Sequence, residues 1–273
     1  MSDSPVIFPQ VVRGTTTIKG DLLRKFLLAV TAVTFLAVAW AGTAAASHAW
    51  GSYHWARTAN PFTVPLGDNV TNTAYSNWEG ALAGASVDWT ASSVLDSPVT
   101  PGQAGNPKRC AAKDKRIEVC NSTYGPNGWL GLASIWTSGA HIVRATAKMN
   151  DTYFNSASYN YTAERHVMCQ EVGHGYGLGH QDESGADLNT CMDYANALDN
   201  PSPNAHDYAQ LETIYAHTDS TSTVGFAPTN ASPIAVERSD RLSSSTIVED
   251  YGNGYRITKH IFWAIGEARG SGH

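Results

Sequence analysis

Apolar residues recur along this chain with two periods. Phe62, Val64 and Leu66 alternate with their neighbours from Pro61 onward, the two-residue period of a half-buried strand. Trp78, Leu82, Ala85 and Trp89 follow at steps of four, three and four, which places them on one face of a helix expected from about Thr73 to Ser92. A stretch rich in Pro, Gly, Lys and Asn from Pro98 to Gly128 reads as surface loops with one short strand at Arg116 to Val119. Two strands are expected next, Gly131 to Trp136 and His141 to Met149, turning at Ser138-Gly139. A helix should begin near Thr162, with Glu164 in its first turn complementing the helix dipole. A last helix is expected from Ala205 to His217, capped by Asn204 and packed through Tyr208, Leu211 and Tyr215. Beyond it the chain turns to Ser, Thr, Asn and Pro, a linker composition, up to about Ser245. A hairpin of Ile247 to Tyr251 and Tyr255 to Trp263 then flanks Gly252-Asn253-Gly254.

The N-terminus has a different pattern. Arg24 and Lys25 precede an uncharged apolar run from Phe26 to Trp40, and small residues follow at Ala41, Gly42 and Ala44 to Ala46. That order is an export signal, expected to be cut after Ala46, because the run is shorter than the roughly 20 residues that span a bilayer. The mature chain is therefore expected to be secreted and free of the membrane. All four cysteines survive the cut. An even number in an exported chain points to two disulfides, and of the three possible pairings Cys110–Cys120 with Cys169–Cys191 is preferred, since each closes a loop without crossing the other. Almost nothing separates the expected cut from the first predicted elements, so no pro-domain is expected.

Composition narrows the class. The 273 residues carry a formal charge of −6 and include eight Trp, twelve Tyr and seven Phe, enough bulky apolar surface to exclude disorder as the main state. No basic run supplies the electrostatic term of nucleic-acid binding.

The chemistry lies in Gln170-Glu171-Val172-Gly173-His174-Gly175-Tyr176-Gly177-Leu178-Gly179-His180. Residues 170 and 174 are one helical turn apart, so their side chains project from one face and can converge on one ion. Gly177 can adopt a left-handed conformation, ending the helix and bringing His180 back toward the same point. Two imidazoles with one further donor leave a position for water, as a catalytic zinc site requires. His166 lies two turns before His174, about 12 Å along the axis, and is out of reach of the same ion.

Here the sequence resembles the metzincin clan of zinc peptidases, and within it the matrixin-like secreted bacterial members. The clan's pattern is His-Glu-x-x-His-x-x-Gly-x-x-His followed by a methionine turn. His174 and His180 match the second and third zinc ligands, Glu171 the general base and Gly177 the turn glycine. Met192, in Cys191-Met192-Asp193-Tyr194, matches the methionine beneath the metal, and Tyr194 has the spacing of a tyrosine near zinc. The resemblance implies an α+β fold: a twisted mixed sheet, a backing helix, an active-site helix and a C-terminal helix after the methionine turn. It covers about 54–217 and implies a peptidase domain at 47–218, leaving 219–273 as linker and hairpin tail. The chain departs from the pattern at Gln170, which stands where the family has its first histidine. Its neutral amide oxygen preserves reach and charge but is a weaker donor for zinc.

The function implied is a monomeric, secreted, zinc-dependent endopeptidase. Polypeptide substrate would pair with the 131–136 strand as an open edge, and Tyr194 would help Glu171 in catalysis. The alternative is a catalytically impaired relative that binds polypeptide or metal. Asp182, Glu183 and Asp187 form an acidic loop with the ligand chemistry for Ca2+, beside the bland reading of a solvated loop. The Cys169–Cys191 bridge would tie the active-site helix to the methionine turn.

Overall fold

Strand pairing in the computed structural model, which describes residues 48–265 except 183, 196, 224 and 242, follows the period-two segments of the sequence and then goes beyond them. The expected leader, residues 1–46, lies outside the described residues. In chain order the strands are β1 (His54–Trp55), β2 (Phe62–Thr63), β3 (Leu66–Asn69), β4 (Leu95–Asp96), β5 (Val99–Pro101), β6 (Ile117–Ser122), β7 (Trp129–Ser138), β8 (His141–Asn150), β9 (Ala235–Asp240), β10 (Ser244–Asp250) and β11 (Tyr255–Trp263). The main sheet runs β5-β3-β6-β8-β7-β11-β10-β9, with β1 beside the start of β8 and a separate β2-β4 pair. The β5-β3-β6-β8 half is parallel, whereas β7, β11, β10 and β9 pair antiparallel. The fold is α+β.

Among the described residues four helices complete it: α1 (Trp78–Thr90), α2 (Asp151–Phe154), α3 (Tyr161–His174) and α4 (Ala205–Ile214). Each longer helix starts at an asparagine whose side chain accepts an otherwise orphaned amide: Asn77 from Gly80, Asn160 from Ala163, and Asn204 in a reciprocal capping box with Asp207. The four α1 residues picked out by spacing are all buried. Trp89 does more than fill space, since its indole N–H donates to the Cys169 carbonyl of α3 at 3.2 Å. A Cβ at Gly173 would lie 2.6 Å from Met192 Sδ and 2.7 Å from the Trp89 ring, so only glycine lets α3 settle this closely between them. Two disulfides join Cys110 to Cys120 and Cys169 to Cys191. No helix among the described residues is long and apolar enough to cross a membrane.

The C-terminal segment keeps the expected hairpin but departs from the expected linker and tail. The expected turn is present, with Gly252, Asn253 and Gly254 all at positive φ. Its second strand, however, pairs with β7 from Trp129 to Ser138, and β9 adds a third strand within the expected linker. Phe262 is only 2% exposed and belongs to the main hydrophobic core. The tail is held because Thr258, His260 and Phe262 alternate inward over the helix layer, burying a face that a free hairpin would expose to water. In consequence the 131–136 segment is not an open edge.

Candidate metal centre

Helix α3 presents Glu171 and His174, its last residues, to the underside of β7. Gly177, at φ +91°, turns the chain where an added Cβ would collide with the Tyr53 carbonyl, and the segment returns with His180. The third member comes from β11: in register opposite Ala133 of β7, His260 projects inward beside them. One ring nitrogen from each of His174, His180 and His260 lies within 4.8 Å of the others. His174 Nδ1–H donates to the Leu178 carbonyl at 2.8 Å, which leaves Nε2 as the lone-pair nitrogen. That Nε2, His180 Nε2 and both nitrogens of His260 are buried without a hydrogen-bond partner. Buried polar atoms are normally satisfied. Three convergent orphan imidazoles form a donor set that fits a divalent metal ion.

Burial governs the charges. It pushes His174 down to about 3, helped by the neighbouring His260, and His260 itself to about 3. His180 is held well below its ordinary range by burial and then by the other two rings. All three are therefore neutral and able to bind a cation. Burial raises Glu171 to about 8, offset in part by His174 and the Ala133 backbone. Glu171 is fully buried, and its Oε2 lies 3.7 Å from His260 Nδ1, beyond hydrogen-bond range. Room for it comes from Gly131 on β7, where any Cβ would overlap the carboxylate.

Gln170 is fully buried and turned toward the methionine turn. Its Nε2 donates to the Cys191 carbonyl at 2.8 Å and the Asp193 carbonyl at 3.2 Å, while Oε1 makes no hydrogen bond. Together with Cys169–Cys191, the amide fastens α3 to the loop that places Met192 against Gly173. Tyr194 packs against His180 with ring centroids 3.8 Å apart and the rings tilted by 38°. It lines a cavity of about 460 Å³ with Trp50, Thr246 and the three histidines. His166 is buried against Phe262 and stands outside the triad. In the acidic loop, Asp182 accepts from Ser184, Asp187 accepts from Asn189 and Asn200, and Glu183 is outside the described residues.

His260 is the residue that sequence reasoning missed. The one available signal was a histidine on the inward row of a β-prone segment, in register with Thr258 and Phe262.

No family model matches the chain, and no curated protein matches it. Among solved structures it is similar to myroilysin, with a TM-score of 0.37 and 12% identity over 63% of this chain and 99% of the other. An overlap that loose carries no function, so the chemistry of this centre rests on its own donors.

Proposed function

We propose that this chain is a secreted, zinc-dependent endopeptidase whose ion is held by His174, His180 and His260, with Glu171 as general base. The observation that carries the reading is the convergence of three neutral imidazoles, His174 and His260 buried and His180 partly buried, with unpartnered buried nitrogens beside a buried carboxylate. A zinc ion bound there supplies Lewis acidity and lowers the pKa of water toward neutrality. The ion's charge would bring Glu171 back below its metal-free value of about 8, so that the ionised carboxylate can accept the proton of the attacking water and pass it to the leaving amine. Tyr194, on the cavity wall, donates to the developing oxyanion. Trp50, packed against His174 at 5.2 Å between ring centroids, shields that side of the centre from bulk water. Gln170 positions the methionine turn, and His260 takes the ligand role that the sequence pattern assigns to residue 170. Export fits the two disulfides, which persist in oxidising compartments.

Because β11 fills the edge of β7, polypeptide approaches through the cavity bounded by Trp50, Tyr194 and Thr246 and not by adding a strand to β7. The same pairing favours a second reading, in which β11 is an inhibitory strand and His260 a plug over a His174–His180 pair. Zinc content and cleavage of an unfolded protein substrate separate the two. In the first reading Glu171→Ala keeps zinc and loses cleavage by about 10²- to 10⁴-fold, and His260→Ala loses zinc. Under the second, His260→Ala keeps zinc and gains activity. Undiminished cleavage by Glu171→Ala overturns both.

A further inference from the structure

A second group of histidines gathers at the end of α4. The segment after that helix is clamped to the strand region after β1 by reciprocal bonds: the Asp219 amide donates to the Arg57 carbonyl at 2.8 Å, and the Arg57 amide donates to Asp219 Oδ2 at 3.2 Å. The Arg57 guanidinium, only 3% exposed, also donates to Oδ2 at 2.9 Å and to the His217 carbonyl. Arg57 thus uses one carboxylate oxygen and leaves Oδ1 facing the imidazoles. Parallel pairing of β1 with β8 sets His54 directly opposite His141.

Around Oδ1 lie His141 Nε2 at 3.2 Å, His54 Nε2 at 3.5 Å and His217 Nε2 at 3.7 Å, while His54 and His217 approach through their Nε2 atoms at 3.3 Å. His54 Nδ1–H donates to the Ser52 carbonyl at 2.9 Å, so its Nε2 carries a lone pair. In the neutral ring that lone pair faces the Asp219 carboxylate oxygen at 3.5 Å, which repels it, and a cation among the three atoms removes the repulsion; His217 Nε2–H can donate to His54 Nε2 at 3.3 Å but leaves the contact with the carboxylate unrelieved. A tetrahedral ion with bonds of about 2.0–2.1 Å has ligand atoms about 3.3–3.4 Å apart. The three separations among His54 Nε2, His217 Nε2 and Asp219 Oδ1 run from 3.3 to 3.7 Å.

We infer that His54, His217 and Asp219 form a second site for a divalent transition ion of the zinc class, distinct from the His174–His180–His260 centre. His141 steadies the carboxylate from outside the triad, since only the other three lie mutually within ligand distance. Ser52 fixes the tautomer of His54, and Arg57 fixes the carboxylate, the supporting contacts a metal site needs. The His217 side chain is 53% exposed, so the ion is reached from solvent and its fourth position is open to water. The site joins β1 and the segment after α4, and acts as a structural clip. A histidine protonated to pair with Asp219 is the competing account.

The test is zinc content of the full chain after stripping with a chelator and reloading with zinc alone, for the wild type, His217→Ala, His174→Ala and the double variant. His217 is half-exposed, so its loss should leave the fold intact, which circular dichroism checks; Asp219→Asn is the second probe. The expected result is that His217→Ala and Asp219→Asn each bind one equivalent fewer than the wild type, and that the double variant loses two. If His217→Ala and Asp219→Asn both retain the wild-type stoichiometry, the site is an ordinary ion-pair cluster and the inference falls. If His174→Ala alone binds as much as the wild type, the proposed catalytic centre fails while this site stands.

Discussion

The two histidine clusters solve the same electrostatic problem by opposite means. At the candidate catalytic centre, His174 and His260 are buried to 1% and 2% exposure, and their neutrality is imposed by desolvation. At the second cluster His217 is half-exposed, and an aspartate held by a buried arginine supplies the counter-charge. The first arrangement keeps imidazole lone pairs free for chemistry but makes the fold sensitive to acid. The second gathers its imidazoles around a carboxylate oxygen, with His141 at 3.2 Å and His54 at 3.5 Å. The contrast extends to the sheet, since His260 is placed by strand pairing and core burial of the tail, whereas Asp219 is fastened by side-chain and backbone bonds to Arg57.

That dependence on β11 gives the largest effect. Phe262→Ala is expected to destabilise the protein by about 3–5 kcal/mol in urea unfolding, as for other buried aromatics; a cost below about 1 kcal/mol would show that the tail is merely draped on the sheet. Replacing both Cys169 and Cys191 by alanine should cost about 3 kcal/mol, given a bridge spanning 22 residues, and should weaken zinc binding in competition with a chelator. His260→Ala is expected to lower zinc affinity at the first centre by more than about 100-fold, since even supporting residues of metal sites are worth up to that factor. An unchanged affinity would return the ligand role to Gln170.

Acid should separate the clusters next. In metal-free protein His174 and His260 titrate near 3 in the fold against about 6.5 when unfolded, and His166 near 4. The unfolded chain then binds more protons between these values, so stability present above about pH 6.5 is lost as pH falls toward 3. Glu171, raised to about 8, acts in the other direction, and its contribution falls as pH rises from about 4.5 to 8. Melting temperatures of stripped protein should therefore peak near neutrality and fall steeply on the acid side, whereas Glu171→Gln should remove the alkaline decline. The smallest effect is on the open cluster: His217→Ala should change metal-free stability by no more than about 0.5 kcal/mol, as expected of a half-exposed side chain.

Much of the fold up to the cap of α4 was legible in the sequence. The α1 face, β7 and β8 about their turn, the start of α3 and the Asn204 cap all follow from periodicity and local hydrogen bonding. Phe62 to Leu66 was harder, because one expected strand is divided between β2 and the start of β3, which pair with different partners. The tail was misjudged for a physical reason. Its Ser-, Thr- and Asn-rich start looks like a linker, and β9 is indeed exposed along its whole length, but pairing with β10 holds it as a strand.

The sequence by itself determined the local part of the centre: Glu171 and His174 on one helix, a glycine at 177 to turn the chain, and His180 returning from the turn. These relations depend on helical pitch and backbone sterics within a few residues. Tertiary structure decided the rest. Gln170 is turned away by two carbonyls of the methionine turn, and the third imidazole arrives on β11 through its pairing with β7. Pairing between strands so far apart leaves no period in the sequence, because its register is set by burial of a shared face and not by any neighbouring residue.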